Sequence, residues 1–346
     1  MLSVSSTDAQ LPSPLPTGLD RYSDYKEIAR GGNGVLYSAF DQLIGRAVVI
    51  KALLPSYRLD RSFRRRLLRE ARVTALLQHP GTVAVYDIGE DEKLGIYYIM
   101  QRISGESFFD VLRSIARREP GAEAAYPLRR RIEIIHDVCQ TLASAHARGV
   151  IHRDVKPGNI WVGNFGEVLL IDWGAAKVWG EASFPSDPNL QSSRRRRVIE
   201  DSMSTESVKH QVTNYDLPPL TPAQQLIGTP TYMSPEQIGN RDIDDRSDIF
   251  SAGVCLYEAM AIAEPFRGQD EEDTFDNICS RQPTPPSERS PDRNIPPQGD
   301  AVFFKATSKQ ASNRYQTMHE FITDLESLRD HCVLPSHAKS ANQSNR

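Results

Sequence analysis

The sequence is short of the features that would take it out of the ordinary globular class. No apolar run approaches the roughly 20 residues needed to span a bilayer. Residues 1–11 lack a basic start followed by an apolar stretch, so no secretory leader is read there. The four cysteines (Cys139, Cys255, Cys279, Cys332) include no C-x-x-C pair. That argues against a disulfide scaffold or zinc ribbon and for a reducing compartment. The histidines show no metal-ligand spacing. Neither sign of charge dominates: 41 Lys and Arg against 45 Asp and Glu leave a net charge of −4, which is not the balance of a polybasic nucleic-acid binder. What is present is 346 residues, 39% hydrophobic and 25% charged. That is about two domains' worth at roughly 150 residues each. A cytoplasmic protein with no transmembrane anchor and no nucleic-acid partner is the expectation.

Residues 1–21 are rich in Ser and Pro and read as a flexible arm. From Tyr22 to about Met100 the pattern is mainly strand. Val35, Tyr37 and Ala39 alternate with other residues, a turn follows at Asp41–Gly45, and Ala47–Ile50 is a β-branched run. Arg58–Leu77 has helical spacing in Phe63, Leu67, Leu68, Ala71 and Leu76. Strand-like runs return at Thr82–Ile88 and Gly95–Met100. Later, Ile132, Ile135, Cys139 and Leu142 mark one helix face, Ile249, Gly253, Leu256 and Met260 another, and Phe321, Leu325 and Leu328 a last helix. Strands first and helices later predict an α+β fold in two unequal lobes. A polar stretch of about fifty residues, 179–226, interrupts the second half; loops of that length are functional or disordered.

Three segments carry chemistry. Ala29-Arg30-Gly31-Gly32-Asn33-Gly34-Val35-Leu36-Tyr37 is glycine-rich between two strands. It reads either as a phosphate cradle, where backbone N–H groups approach closely, or as a plain hairpin turn. A dinucleotide fold would need a helix directly after the glycines, and a strand pattern follows instead. Lys51 ends an apolar run, and Glu70 on the next helix could pair with it. An exposed pair of that kind contributes only about 0–1 kcal/mol, so its value would lie in placing the ammonium. The decisive stretch is His152-Arg153-Asp154-Val155-Lys156-Pro157-Gly158-Asn159, followed by Ile171-Asp172-Trp173-Gly174 and Gly228-Thr229-Pro230-Thr231-Tyr232-Met233-Ser234-Pro235-Glu236.

With these residues, in this order, the chain resembles the eukaryotic-type (Hanks-type) protein Ser/Thr kinases, and their bacterial members in particular, over about residues 22–331. The resemblance implies a small, mostly β N-lobe (about 22–103) and a larger, mostly α C-lobe (about 104–331), with ATP held between them and a polar tail at 332–346. It implies that Gly31 and Gly34, with Ile28, Ala29, Gly32 and Leu36, cover the nucleotide. Lys51 would meet the α- and β-phosphates with Glu70 as its partner. Val49, Met100 (the gatekeeper), Gln101, Ile103, Trp161 and Ile171 would line the adenine site. Asp154 would be the catalytic base, Lys156 the lysine near the γ-phosphate, and Asn159 and Asp172 the Mg²⁺ ligands. Thr229 would buttress Asp154 and Lys156. Asp248 would hold the catalytic loop, and Glu236 would pair with Arg314. Lysine at position 156 matches Ser/Thr rather than tyrosine kinases. The Gly228–Glu236 segment matches protein kinases rather than small-molecule kinases of related fold.

The sequence also departs from the family. Ala29 replaces a glycine, which is costly only if the backbone there needs φ > 0. Trp173 replaces a phenylalanine and overpacks unless room is made, at roughly 1–3 kcal/mol. Trp161 stands where a smaller residue floors the adenine, and it packs either on the purine or into the core. About 65 residues run from Asp172 to Glu236, with Arg194–Arg197 and several Ser and Thr among them. That insertion is either a solvated loop or an autophosphorylation and docking segment, with Thr221 or the Ser202–Ser207 cluster as acceptor. The arginines of the Glu70 helix (Arg58, Arg61, Arg64, Arg65, Arg66, Arg69, Arg72) form an exposed charged face or acidic-partner site, or else a dock for a phosphorylated loop. Protein substrates and self-association for trans-autophosphorylation are the expected partners, ATP and Mg²⁺ the cofactors. The alternative to an active kinase is a pseudokinase or nucleotide-binding scaffold. Retention of Lys51, Asp154, Asn159 and Asp172 speaks against it.

Overall fold

A computed structural model describes residues 15–178 and 230–332. The insertion 179–226, with its Arg194–Arg197 run and acceptor candidates Thr221 and Ser202–Ser207, lies outside the described residues. So do Thr229 and the tail from 333. The chain divides into two compact units. The first holds the described residues up to Gly105 together with 147–150 and 171–178. The second holds 106–146, 151–170 and the described residues from Pro230 onward.

The first unit is an antiparallel sheet with one helix. Its strands are β1 (Tyr22–Arg30), β2 (Gly34–Asp41), β3 (Arg46–Leu53), β4 (Val85–Asp91) and β5 (Gly95–Gln101), in the order β1-β2-β3-β5-β4. The central strand β3 shows the strand period directly. Val48, Ile50 and Ala52 are fully buried with Val35, Ala39, Tyr97 and Ile99 on one face. Leu53 lies on the other face with Ile96 and Tyr98, where helix α1 (Arg61–Leu76) covers them with Leu67 and Ala71. The periodicity of α1 is as read, but the helix starts at Arg61, three residues later than the Arg58 expected. Asp60 fixes the start, its carboxylate accepting from Ser62 N at 2.7 Å and Phe63 N at 3.3 Å. Order also reaches back into the segment read as a flexible arm. Gly18–Arg21 forms a 3₁₀ turn, and the Arg21 guanidinium donates to both carboxylate oxygens of Asp41 at 2.7 and 2.6 Å. A carboxylate as buried as Asp41 needs such a partner.

The second unit is helical. A small antiparallel sheet of β6 (Glu106–Ser107), β7 (Ile160–Val162) and β8 (Val168–Leu170) accompanies α2 (Phe108–Ala116), α3 (Ala122–Ala125), α4 (Leu128–Ala147), α5 (Pro235–Ile238), α6 (Arg246–Ala261), α7 (Glu271–Ser280), α8 (Pro286–Arg289), α9 (Pro297–Ala306) and α10 (Met318–His331). The faces read from spacing on α4, α6 and α10 are all buried. Helix α6 goes further, because Phe250, Val254, Cys255 and Tyr257 are buried as well, so it is a core helix covered on every side. Gly253 permits the close approach of α9: a Cβ there would stand 2.8 Å from Ala306 Cβ and 2.9 Å from Thr307 Cγ2. The α4–α6 packing is pinned by the buried Arg131, which donates to Ala259 O at 2.7 Å. Among the described residues no helix is long and apolar enough to cross a membrane.

Candidate active site

Lys51 leaves β3 on the face covered by α1. Its partner across the ladder is Tyr98 of β5. Glu70 comes from the buried face of α1, and its Oε1 accepts from Lys51 Nζ at 2.5 Å and from the Tyr98 hydroxyl at 2.8 Å. Burial pulls the Lys51 ammonium down, but the charges of Glu70 and Asp172 more than reverse this and hold it above its ordinary value. Burial, with Glu70 beside it, pushes the Tyr98 phenol well up, so it remains a donor. Tyr98 is a site residue that the motif reading missed; its only sequence signal is its place opposite Lys51, which requires the register.

The glycine segment is a tight turn between β1 and β2, with Gly31 N donating to Gly34 O at 2.9 Å. None of Gly31, Gly32 and Gly34 has positive φ. Their value is room: a Cβ on Gly34 would lie 3.3 Å from Ala52 O and 3.8 Å from Lys51 Cε. Ala29 sits inside β1 opposite Leu36 without positive φ, so its Cβ costs nothing there. Ile28 is half exposed, Val49 is buried, and Met100 pairs with Val49. Gln101 N donates to Ala84 O at 2.8 Å, so a ligand at that residue would have to use its carbonyl. Ile103 follows the end of β5, partly exposed.

Asp172 is also in the first unit, next to the partly exposed Ile171. Its backbone is left-handed, φ 64°, and its Oδ1 accepts from Gly174 N at 3.3 Å. A non-glycine residue held there costs about 1–3 kcal/mol and is a mark of functional sites. Trp173 is almost completely buried, so space has been made for the larger ring. Gly174 is close-packed: a Cβ would lie 3.1 Å from Asp172 Oδ1 and 3.5 Å from Glu70 Oε2.

In the second unit Asp154, Lys156 and Asn159 lie together. Lys156 Nζ donates to Asp154 Oδ2 at 2.7 Å, and Asn159 Nδ2 donates to Asp154 O at 2.8 Å and to Oδ2 at 3.1 Å. With its NH₂ group so occupied, Asn159 can offer a ligand only its amide oxygen. An amide oxygen and the Asp172 carboxylate are the hard donors that suit Mg²⁺, and both residues fit that ion. Trp161 is half-buried between the fully buried Ile160 and the buried Val162 on β7, so it turns away from the face those two occupy.

The loop carrying Asp154 is held from α6. Asp248, fully buried, accepts from His146 Nε2 at 2.8 Å, His152 N at 2.8 Å and Arg153 N at 2.9 Å. Burial raises its carboxyl, but the hydrogen bond and charge of His146, with His152, prevail and hold it below the usual range. Arg153 has φ 68°, and Gln237 Nε2 donates to its carbonyl at 2.9 Å. His146 and Gln237 are further positioning residues that the motifs did not name. Glu236 and Arg314 pair as expected, Nη1 to Oε1 at 2.7 Å and Nη2 to Oε2 at 2.8 Å, and Ser247 Oγ donates to the same carboxylate. Thr229 lies outside the described residues, just before the turn Pro230–Tyr232. There the Tyr232 hydroxyl donates to Glu258 Oε2 at 2.7 Å. Burial pushes the Glu258 carboxyl up to about 7.

A β-sheet unit carrying a Lys–Glu pair and a helical unit carrying Asp, Lys and Asn on one braced loop define a class, and the comparison of sequences agrees. The model of the family described as protein kinase domain matches residues 22–325. The chain belongs to that family, and its fold is the two-lobed kinase fold. It is 35% identical over 321 residues to a probable serine/threonine-protein kinase of Corynebacterium efficiens, covering 91% of this chain and 42% of that protein. It is 32% identical over 313 residues to the serine/threonine-protein kinase PknD of Chlamydia pneumoniae, covering 89% of this chain and 31% of that protein. PknD of Protochlamydia amoebophila is 29% identical over 316 residues, 90% and 30% of the two chains. The chain thus spans less than half the length of these curated relatives.

Proposed function

We propose that the chain is an active protein serine/threonine kinase that transfers the γ-phosphate of ATP to Ser and Thr hydroxyls of proteins. The observation that supports this best is the Lys51–Glu70 pair at 2.5 Å, which holds an ammonium that phosphate oxygens could use. The loop of Asp154, Lys156 and Asn159 supplies the other half of the chemistry. Lys51 positions and neutralises the α- and β-phosphates. Asp154 orients the acceptor hydroxyl and takes its proton late, as a loose transition state allows. Lys156 bridges Asp154 and the transferring group. Mg²⁺, held by Asn159 and Asp172, would supply charge neutralisation on the phosphates. The adenine would lie against Val49, Met100 and Trp161, with the Gln101 carbonyl and the Ile103 backbone as its polar contacts. Autophosphorylation in the segment 179–226, at Thr221 or within Ser202–Ser207, belongs to the same reading, as does self-association to deliver it. A cytoplasmic location accords with four free cysteines.

Labelled ATP with Mg²⁺ and a Ser/Thr peptide mixture tests the proposal. Wild type is expected to label the peptides and itself, whereas Asp154→Asn and an EDTA-treated sample are not. Equal labelling by wild type and Asp154→Asn, or none by either, would overturn it in favour of a nucleotide-binding scaffold.

A further inference from the structure

The N-terminal half of α1 is strongly basic beyond its capping carboxylate Asp60. Its first turn contains no acidic residue but carries Arg61 and Arg64, cations at the positive end of the helix dipole. Arg64 is compensated by Glu90, and Arg66 lies over the Phe63 ring at 5.6 Å. Arg61 and Arg65 are different. They lie four residues apart, where like charges repel. Both are exposed, and neither has an anionic partner among the described residues. Immediately before them Leu59 stands 92% exposed. Two exposed cations without an ion-pair partner thus stand beside a bare leucine, and local conflicts of this kind mark functional surfaces.

The same chain presents the complement. Helix α7 opens on Asp270-Glu271-Glu272-Asp273, the longest unbroken acidic run in the sequence. Asp270 and Asp273 are used in capping, accepting from Asp273 N and Gln269 N. Glu272 and Asp276 are exposed and have no ion pair among the described residues. They repeat the four-residue spacing of Arg61 and Arg65. Phe275, half-buried, and Cys279, exposed, share that stripe. The dipole of α7 accounts for acids in its first turn. It does not account for the arginines of α1.

We propose that α1 of one copy docks on α7 of a second copy, Arg61 and Arg65 pairing with Glu272 and Asp276, and Leu59 seating against Phe275. The contact joins two different patches, so it is heterologous. It is small and charge-dominated, hence weak and sensitive to salt. It also places the second copy on the helix that carries Glu70. The inference gives a surface to the self-association proposed above, but it is read by mass rather than by catalysis. A monomeric active protein would sink the contact and leave the kinase reading standing; an associating inactive one would do the reverse.

Sedimentation velocity on the full chain, from about 1 to 200 µM and at low and high salt, tests the proposal. Wild type is expected to associate at low salt and to dissociate at high salt. Arg61→Glu/Arg65→Glu and Glu272→Arg/Asp276→Arg should each associate at least tenfold more weakly. An equimolar mixture of the two should associate again, because opposite charges now meet between unlike molecules. Both variants should phosphorylate a peptide at wild-type rate in dilute solution. Wild type monomeric throughout, variants associating like wild type, or a mixture that fails to recover while each variant retains its native circular dichroism would overturn the proposal.

Discussion

At the scale of single residues, Lys51 shows what environment adds to a motif. A lysine at a strand end is normally a solvated charge; here two carboxylates secure its protonation. Removing one preorganised donor to developing charge typically costs about 2.7–4 kcal/mol. Lys51→Met should therefore lower kcat about 10²- to 10³-fold, measured by labelled phosphate transfer, while circular dichroism stays native. Glu258 gives a second residue-scale prediction. Its folded carboxyl titrates near about 7, above the unfolded value. The folded state thus binds the proton more tightly, and wild type loses stability as pH rises from the unfolded pKa through the folded one. Glu258→Gln keeps an oxygen for the Tyr232 hydroxyl but has no charge to desolvate. Its stability relative to wild type should grow by about 2–3 kcal/mol between pH 5 and pH 8, as read by denaturant midpoints. A difference independent of pH would contradict the assignment.

At the scale of elements, the catalytic loop is a backbone object fastened to α6. Asp248 takes two main-chain N–H groups and a histidine. Asp248→Ala leaves buried donors unpaired and should cost about 3–5 kcal/mol of stability, seen as a lower thermal midpoint. Activity should fall even below that midpoint, because the loop is no longer fixed. Such bracing is also where sequence reading stops. The strands, α1 and the faces of α4, α6 and α10 are legible from period-2 and period-3.6 patterns, because burial dictates them locally. Lys51, Glu70, Asp154, Asn159 and Asp172 are legible because they sit in short segments whose order resembles a family. Tyr98, His146 and Gln237 are not. Tyr98 meets Glu70 only once β3 and β5 are in register, and His146 meets Asp248 from 102 positions away. Boundaries slipped for local reasons: Asp60 caps a helix expected to begin at Arg58, and Asp41 draws Arg21 out of the presumed arm.

At the scale of the whole molecule, the proposed function has residues of each unit take part in the nucleotide chemistry, which links ligand and stability. A ligand that binds only the folded protein stabilises it by about 2.7 kcal/mol at 100 times its Kd. MgATP should accordingly raise the thermal midpoint by several degrees, roughly 2–4 °C per kcal/mol for a domain of this size. Lys51→Met should lose most of that shift. An equal shift in the variant would show that the nucleotide does not contact this lysine.

The left-handed backbone at Arg153 bears on mutational tolerance. Its conformation is imposed through main-chain groups, the N–H by Asp248 and the carbonyl by Gln237. Both of these contacts are to the main chain, so they can form with another side chain at the position. Asn or Gly, which enter this region readily, should preserve the geometry of Asp154, and Gly should relieve the cost of a Cβ. A single substitution at this position would then leave the loop carrying Asp154 standing.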